Sequence, residues 1–243
     1  MTESYNYLNN IWDYILPDGS GFCHWGGKAA SYQILKILDL NDSERICDLC
    51  CGEAGTLSLI DKEKLEIYGV DISDSISRKS KSDFNLVQAD VKKMPFASRF
   101  FDKLFAQDPD VFLHPKKAET LREISRILKK RGIFVCQTYC ATSNISEEEK
   151  RKTSNLLSSL GYPYTDVIGT EDIPDLFSSE GFQIEFIKEM HEIYLRDNIK
   201  MIENLEKNWL KIKDKKIRRL LYWEKYLFSK SAWTGILIFA RKS

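Results

Sequence analysis

The feature that most constrains this chain is a short apolar stretch broken by glycines, Arg45 to Gly55, RICDLCCGEAG. Ile46, Cys47 and Leu49 form an apolar run, Asp48 interrupts it near its end, and Gly52 and Gly55 turn the chain. This predicts a buried strand that stops at a tight turn and passes into a helix starting near Thr56. Free backbone N–H groups at such a corner make it a place to hold a ligand. Two ligand classes use corners of this kind. A dinucleotide needs G-x-G-x-x-G so that its pyrophosphate can approach the backbone. Here Cys50 takes the first glycine position, and Glu53 puts a carboxylate inside the turn that repels a pyrophosphate but not a cation.

Strand and helix patterns alternate after the corner. Further strands are predicted over Leu65 to Asp71, Phe84 to Asp90, Lys103 to Gln107, Gly132 to Tyr139, the segment FQIEFI from Phe182, and Thr234 to Arg241. Helices are predicted from Gly27 to Leu38 and from Lys116 to Lys130, where Leu121, Ile124 and Leu128 recur at helical spacing. Ser146 and Glu149 fit a capping box opening a helix to about Leu160, and another helix spans Pro174 to Glu180. Tyr194 to Ser229 is helical in pattern, with Ile202, Leu205, Trp209 and Ile212 on one face. Helical crossovers between strands imply an α/β, doubly wound, seven-stranded, mostly parallel sheet with a helical cover inserted before the last strand. No repeat or low-complexity linker interrupts it, so one domain over residues 1–243 is expected, with 1–26 as an N-terminal lid segment and 192–230 as a helical insertion over the active site.

Composition narrows the partners. Lysine plus arginine equals aspartate plus glutamate at 36 each, so no global field draws the 243-residue chain to nucleic acid or an anionic membrane. No apolar run reaches the roughly 20 residues of a membrane span, and the first residues lack a signal peptide's basic and apolar regions. A cytoplasmic monomer or weak homodimer acting on a small molecule is expected. Cys47 and Cys50 have zinc-type spacing, yet no second ligand pair follows, so no metal is expected and most cysteines read as small buried residues.

The stretch DLCCGEAG resembles motif I of the class I S-adenosylmethionine-dependent methyltransferases, whose cofactor carries a sulfonium and an ammonium and no phosphate. Asp71 ends the second strand about 20 residues after the turn, where a doubly wound fold places a carboxylate that accepts hydrogen bonds from ribose hydroxyls. Asp90 and Val91 close the third strand, where the resemblance implies contact with adenine. Met94 to Phe96 and Phe101-Asp102 fit the same pattern. The resemblance implies a Rossmann-like methyltransferase fold and S-adenosyl-L-methionine held by Asp48, Cys50, Gly52, Gly55, Asp71, Ile72, Asp90, Val91 and Gln107.

Asp110 to His114 resembles the D-x-x-L-H segment of small-amine methyltransferases, the glycine, sarcosine and dimethylglycine group and the phosphoethanolamine group. FCHWGG, from Phe22, resembles the segment those enzymes place before their first core helix, and WTGILIFARK is similar to their last strand. N-methylation of a small amine is the implied reaction, with carbon, oxygen or macromolecular acceptors, or cofactor binding without turnover, as alternatives. His114, with an ordinary pKa of about 6.5, has the chemistry to accept a proton near neutrality and Asp110 to orient an ammonium. His114 also precedes Pro115, where capping the next helix is the other role open to it. Pro109 leaves two acids, Asp108 and Asp110, for one position in the pattern. His24 and Trp25 are candidates for the closed side of the substrate pocket, and Tyr5 for a phenol donor. The basic segment Lys207 to Arg219 reads either as a solvated helix face or as a contact for an anionic substrate group.

Overall fold

The computed structural model describes residues 21–22, 24–73, 84–109, 117–160, 168–212 and 214–243. Helix α1 (Gly27–Leu38) leads into β1 (Arg45–Leu49), followed by β2 (Glu66–Asp71), β3 (Asn85–Gln88) and β4 (Phe101–Gln107). Helix α2 (Lys117–Ile127) joins β5 (Leu128–Ala141), and α3 (Glu147–Ser159) and α4 (Ile173–Ser179) precede β6 (Phe182–Glu189). Helices α5 (His191–Lys207), α6 (Trp209–Ile212) and α7 (Lys215–Ser229) come before β7 (Trp233–Lys242). These strands make one seven-stranded sheet in the order β3-β2-β1-β4-β5-β7-β6. The first five run parallel, and β7 lies antiparallel between β5 and β6. The chain's order reverses at β1 beside β4, so their carboxyl ends border the crevice where a sheet of this kind holds its ligand.

The two faces of the sheet follow the period of two along each strand. On one face Cys47, Leu49, Leu104, Ala106, Phe134 and Cys136 pack with Leu121 and Ile124 of α2 and Phe177 of α4. On the other, Ile46, Phe105, Val135, Leu237 and Phe239 pack with Ile34 and Leu38 of α1, Tyr194 of α5 and Phe228 of α7. A third apolar cluster joins Leu157 of α3, Met201, Ile202 and Leu205 of α5, and Ile217, Leu220 and Leu221 of α7. The capping box is formed: Ser146 Oγ accepts from Glu149 N, and Glu149 Oε2 accepts from Ser146 N at 2.8 Å. No helix among the described residues is long and apolar enough to cross a membrane.

Two expectations are corrected. The helix expected from Thr56 is a single 3-10 turn, Leu57–Leu59. Leu57 and Ile60 supply its buried contacts at a spacing of three, and the polar run Asp61 to Lys64 gives no further apolar stripe. The helix expected to reach Lys130 stops at Ile127, because Leu128 pairs with Phe101 and begins β5. A register irregularity between Phe101 and Lys103 accommodates Arg131, whose φ is 62°.

Candidate active site

The corner after β1 folds around a left-handed turn, with φ of 60° at Cys50 and 52° at Gly52. Asp71, at the end of β2, holds this turn: its Oδ2 accepts from Gly52 N at 2.8 Å and its Oδ1 from Ser73 N at 2.9 Å. Asp48 lies beneath, nearly inaccessible, and burial, aided by the charge of Asp71, pushes its carboxyl well above the usual range. Asp90, after β3, accepts from Lys92 N at 2.9 Å, Val91 is buried, and Ile72 is exposed. Gly55 has a different neighbour from the one expected. A Cβ there would lie 1.6 Å from the backbone oxygen of Gly21, so its bare Cα admits the chain segment that enters α1. Burial also raises the thiols of Cys47 and Cys51, which keeps them inert at this corner.

A line of polar side chains crosses the carboxyl ends of β4 and β5. Ser31 Oγ and Thr56 Oγ1 are 2.7 Å apart, and Thr56 donates to Gln107 Oε1 at 2.8 Å. Gln107 Nε2 stands 3.1 Å from His24 Nδ1. An amide nitrogen only donates, so His24 accepts at Nδ1 and carries its hydrogen on Nε2, 3.1 Å from Ser31 Oγ. Gln107 Nε2 also reaches Gln137 Oε1 at 3.5 Å, and Gln137 Nε2 donates to Trp25 O at 2.6 Å and Tyr194 Oη at 3.3 Å. Tyr194 in turn donates to Asp108 Oδ1. The donors therefore point one way, Gln107 to Gln137 to Tyr194, and end on a carboxylate.

Asp108 is the acid of the pair that lies among the described residues. Its φ of 47° turns the chain back over β4, and its Oδ2 accepts from Trp25 N at 2.7 Å. Trp25 stacks on Tyr194 with ring centroids 5.4 Å apart and meets Phe228 edge-on at 5.8 Å. Burial and the neighbouring Asp108 hold the Tyr194 phenol well above its ordinary value, so it stays a donor. Tyr5, Asp110 and His114 lie outside the described residues.

Sequence reasoning missed Gln137, Tyr194, Asp197, Asn198 and Glu224. Asp197, only 3% exposed, accepts from Gly26 N at 2.6 Å and so pins the start of α1 to α5. Asn198 Nδ2 donates to Leu221 O at 3.2 Å and approaches Glu224 Oε2 at 3.4 Å. The basic stretch before and within α7 is partly tied down. Arg218 pairs with Glu206 at 2.8 Å and lies over the Trp209 ring, and Lys216 Nζ donates to Ser159 O at 2.7 Å.

Together the corner offers buried or half-buried acids at three neighbouring strand ends and a turn with a carboxylate, Glu53, in it. Such a donor set suits a cationic nucleoside: Asp71 for sugar hydroxyls, Asp90 for the base and Asp48 for positive charge. It does not suit a pyrophosphate.

A family model described as a methyltransferase domain matches residues 40–211. Phosphoethanolamine N-methyltransferase of Triticum aestivum is 22% identical over 200 residues, covering 78% of this chain and 38% of that protein. The chain thus spans about two fifths of the length of this curated relative. Among solved structures, phosphoethanolamine N-methyltransferase 2 of Haemonchus contortus, with phosphomonomethylethanolamine and S-adenosylhomocysteine, superimposes with a TM-score of 0.76 at 19% identity, over 98% of this chain and 57% of that one. Geranyl diphosphate C-methyltransferase of Streptomyces coelicolor A3(2) superimposes with a TM-score of 0.69 at 12% identity, over 89% of this chain and 78% of that one.

Proposed function

The chain belongs to the methyltransferase-domain family, and from that membership we propose that it moves a methyl group from S-adenosylmethionine to a small molecule, with an amine nitrogen as acceptor. The cofactor supplies a methyl carbon activated by its positive sulfur. The chain's own residues have to bind, align and exclude water. Asp71 and Asp90 hold the nucleoside, and Asp48 offsets its charge. Asp108 carries the amine reading: it is a carboxylate directly after β4, at the sheet edge that borders the crevice, and is held by Trp25 N–H and Tyr194 O–H. Aromatic rings beside an acid suit a cationic group, the Trp25 face alone by roughly 0.5–2 kcal/mol. We assign Asp108, in place of Asp110, to orient the ammonium, and keep His114 as the group that takes its proton.

Incubation with methyl-labelled S-adenosylmethionine and a pooled metabolite extract tests the reading. Label is expected in amines. Label on carbon or oxygen of small molecules would overturn the nitrogen assignment, label in macromolecules the small-molecule one, and tight cofactor binding without transfer the catalytic one.

The raised carboxyl of Asp48 adds a pH signature. Below its raised pKa the Asp48 carboxyl holds a proton, and a bound cation favours the ionised form, so in that pH range cofactor binding releases a proton. Affinity for S-adenosylmethionine is therefore expected to rise with pH and level off once Asp48 is ionised in the free protein. Calorimetry in two buffers of different ionisation enthalpy measures the release. Equal heats in both would remove Asp48 from the cationic site.

A further inference from the structure

Behind the Trp25–Tyr194 stack, α5 and α7 bring together polar groups that the packing of the fold does not require. Glu224 sits on the buried face of α7, 7% exposed, flanked one turn away by Leu220, Leu221, Leu227 and Phe228. A carboxylate there displaces an apolar side chain and carries a desolvation cost. Asn198, fully buried on α5, brings Nδ2 to 3.4 Å from Glu224 Oε2, yet its Oδ1 has no hydrogen-bond partner. A buried amide oxygen without a donor costs about 1–3 kcal/mol. Burial, with the charge of Asp108 as the smaller cause, pushes the Glu224 carboxyl up to about 8. An N–H donor with positive charge would satisfy the orphaned oxygen and favour the ionised form of Glu224.

We propose that Glu224 and Asn198, the latter one turn along α5 from the Tyr194 that donates to Asp108, form the subsite that receives the positively charged end of the acceptor substrate, a primary or secondary ammonium whose N–H groups are donated to the Glu224 carboxylate and to Asn198 Oδ1. The proposal rests on the amine reading of the site and adds the residues that select for it. A neutral alcohol of the same chain length lacks both the charge and the second N–H. Discrimination between the two therefore resides in side chains of α5 and α7.

The test measures binding of propylamine, N-methylpropylamine and propan-1-ol to the S-adenosylhomocysteine complex and, separately, methyl transfer to each from S-adenosylmethionine, for the wild-type protein and Glu224→Gln. Wild type is expected to bind both ammonium ions at least tenfold tighter than the alcohol. Glu224→Gln is expected to lose that preference and raise KM for the amines at least tenfold, with S-adenosylhomocysteine affinity unchanged. The amide buries no charge, so the variant is expected to melt no lower than wild type. Equal binding of alcohol and ammonium by wild type overturns the subsite without any variant. Amine methylation with the same KM in both proteins overturns the subsite and leaves the amine reading standing. Ammonium binding that depends on Glu224 but leads to no methyl transfer supports the subsite and overturns N-methylation.

Discussion

Gly235→Ala is expected to cost the protein both stability and turnover while sparing its affinity for S-adenosylmethionine. Near the start of β7, Gly235 lies under the ring of Tyr194, and an added Cβ would fall 2.1 Å from Cδ2 and 2.3 Å from Cε2. Carbon atoms settle near 3.5–4.0 Å, so the ring would have to move by more than an ångström. It has nowhere to go: Trp25 stacks on it, Phe228 borders it, and its hydroxyl is tied to Asp108 and Gln137. Overpacking of this kind costs about 1–3 kcal/mol, and loss of a hydrogen bond to a buried carboxylate about 1.5–3 kcal/mol more. At roughly 2–4 °C per kcal/mol for a chain of this size, Tm should fall by about 5–20 °C. Turnover should fall more than tenfold, because Asp108 loses the donor that orients it. Calorimetric melting and steady-state kinetics check both. A variant that melts within a degree of wild type and turns over normally would show that the ring is not fixed against β7.

Asp71→Ala is expected to weaken S-adenosylmethionine binding by about 1–3 kcal/mol, or roughly fivefold to 150-fold. On this expectation the carboxylate has two tasks. Its bonds to Gly52 N and Ser73 N shape the turn, and its remaining lone pairs are left for the sugar. Asp71→Asn keeps one acceptor oxygen and should lie between alanine and wild type. Amide hydrogen exchange over residues 50–55 separates the tasks. Faster exchange in the unliganded alanine variant would report loss of the turn's anchor, whereas unchanged exchange with weakened binding would confine Asp71 to the ligand. Unchanged affinity by calorimetry would take Asp71 out of the site altogether.

The sheet was legible in the sequence because interior parallel strands are buried on both faces and read as apolar runs; β1 and β4 are the clearest cases. The end of α2 was not. Leu128 stands four residues after Ile124, which continues a helical stripe, and only its pairing with Phe101 across the sheet decides for β5. Asp71 and Asp90 fall at the ends of strands that the sequence pattern predicts, so their places were legible, whereas a role for Asp90 toward the base came only from the family resemblance. The acceptor side was harder, since Tyr194 and Gln137 acquire their roles from neighbours far along the chain. Some of it was nevertheless readable. Asp197 and Asn198 share a helical stripe with Tyr194, Met201, Ile202 and Leu205, and Glu224 one with Leu220, Leu221, Leu227 and Phe228. Polar residues on an otherwise apolar stripe signal buried chemistry. The basic run from Lys207 to Arg219 drew attention instead, and part of it is spent on Glu206, Trp209 and Ser159.

The one-way run of donors from Gln107 through Gln137 and Tyr194 to Asp108 makes the setting of that carboxylate a collective property. Each amide and hydroxyl is polarised by the one before it, so an exchange at the α1 end is felt at the acid. Substitutions along the run should combine non-additively. Re-aiming Asp108 therefore calls for concerted replacement of the whole line, with libraries that vary Gln107, Gln137 and Tyr194 together.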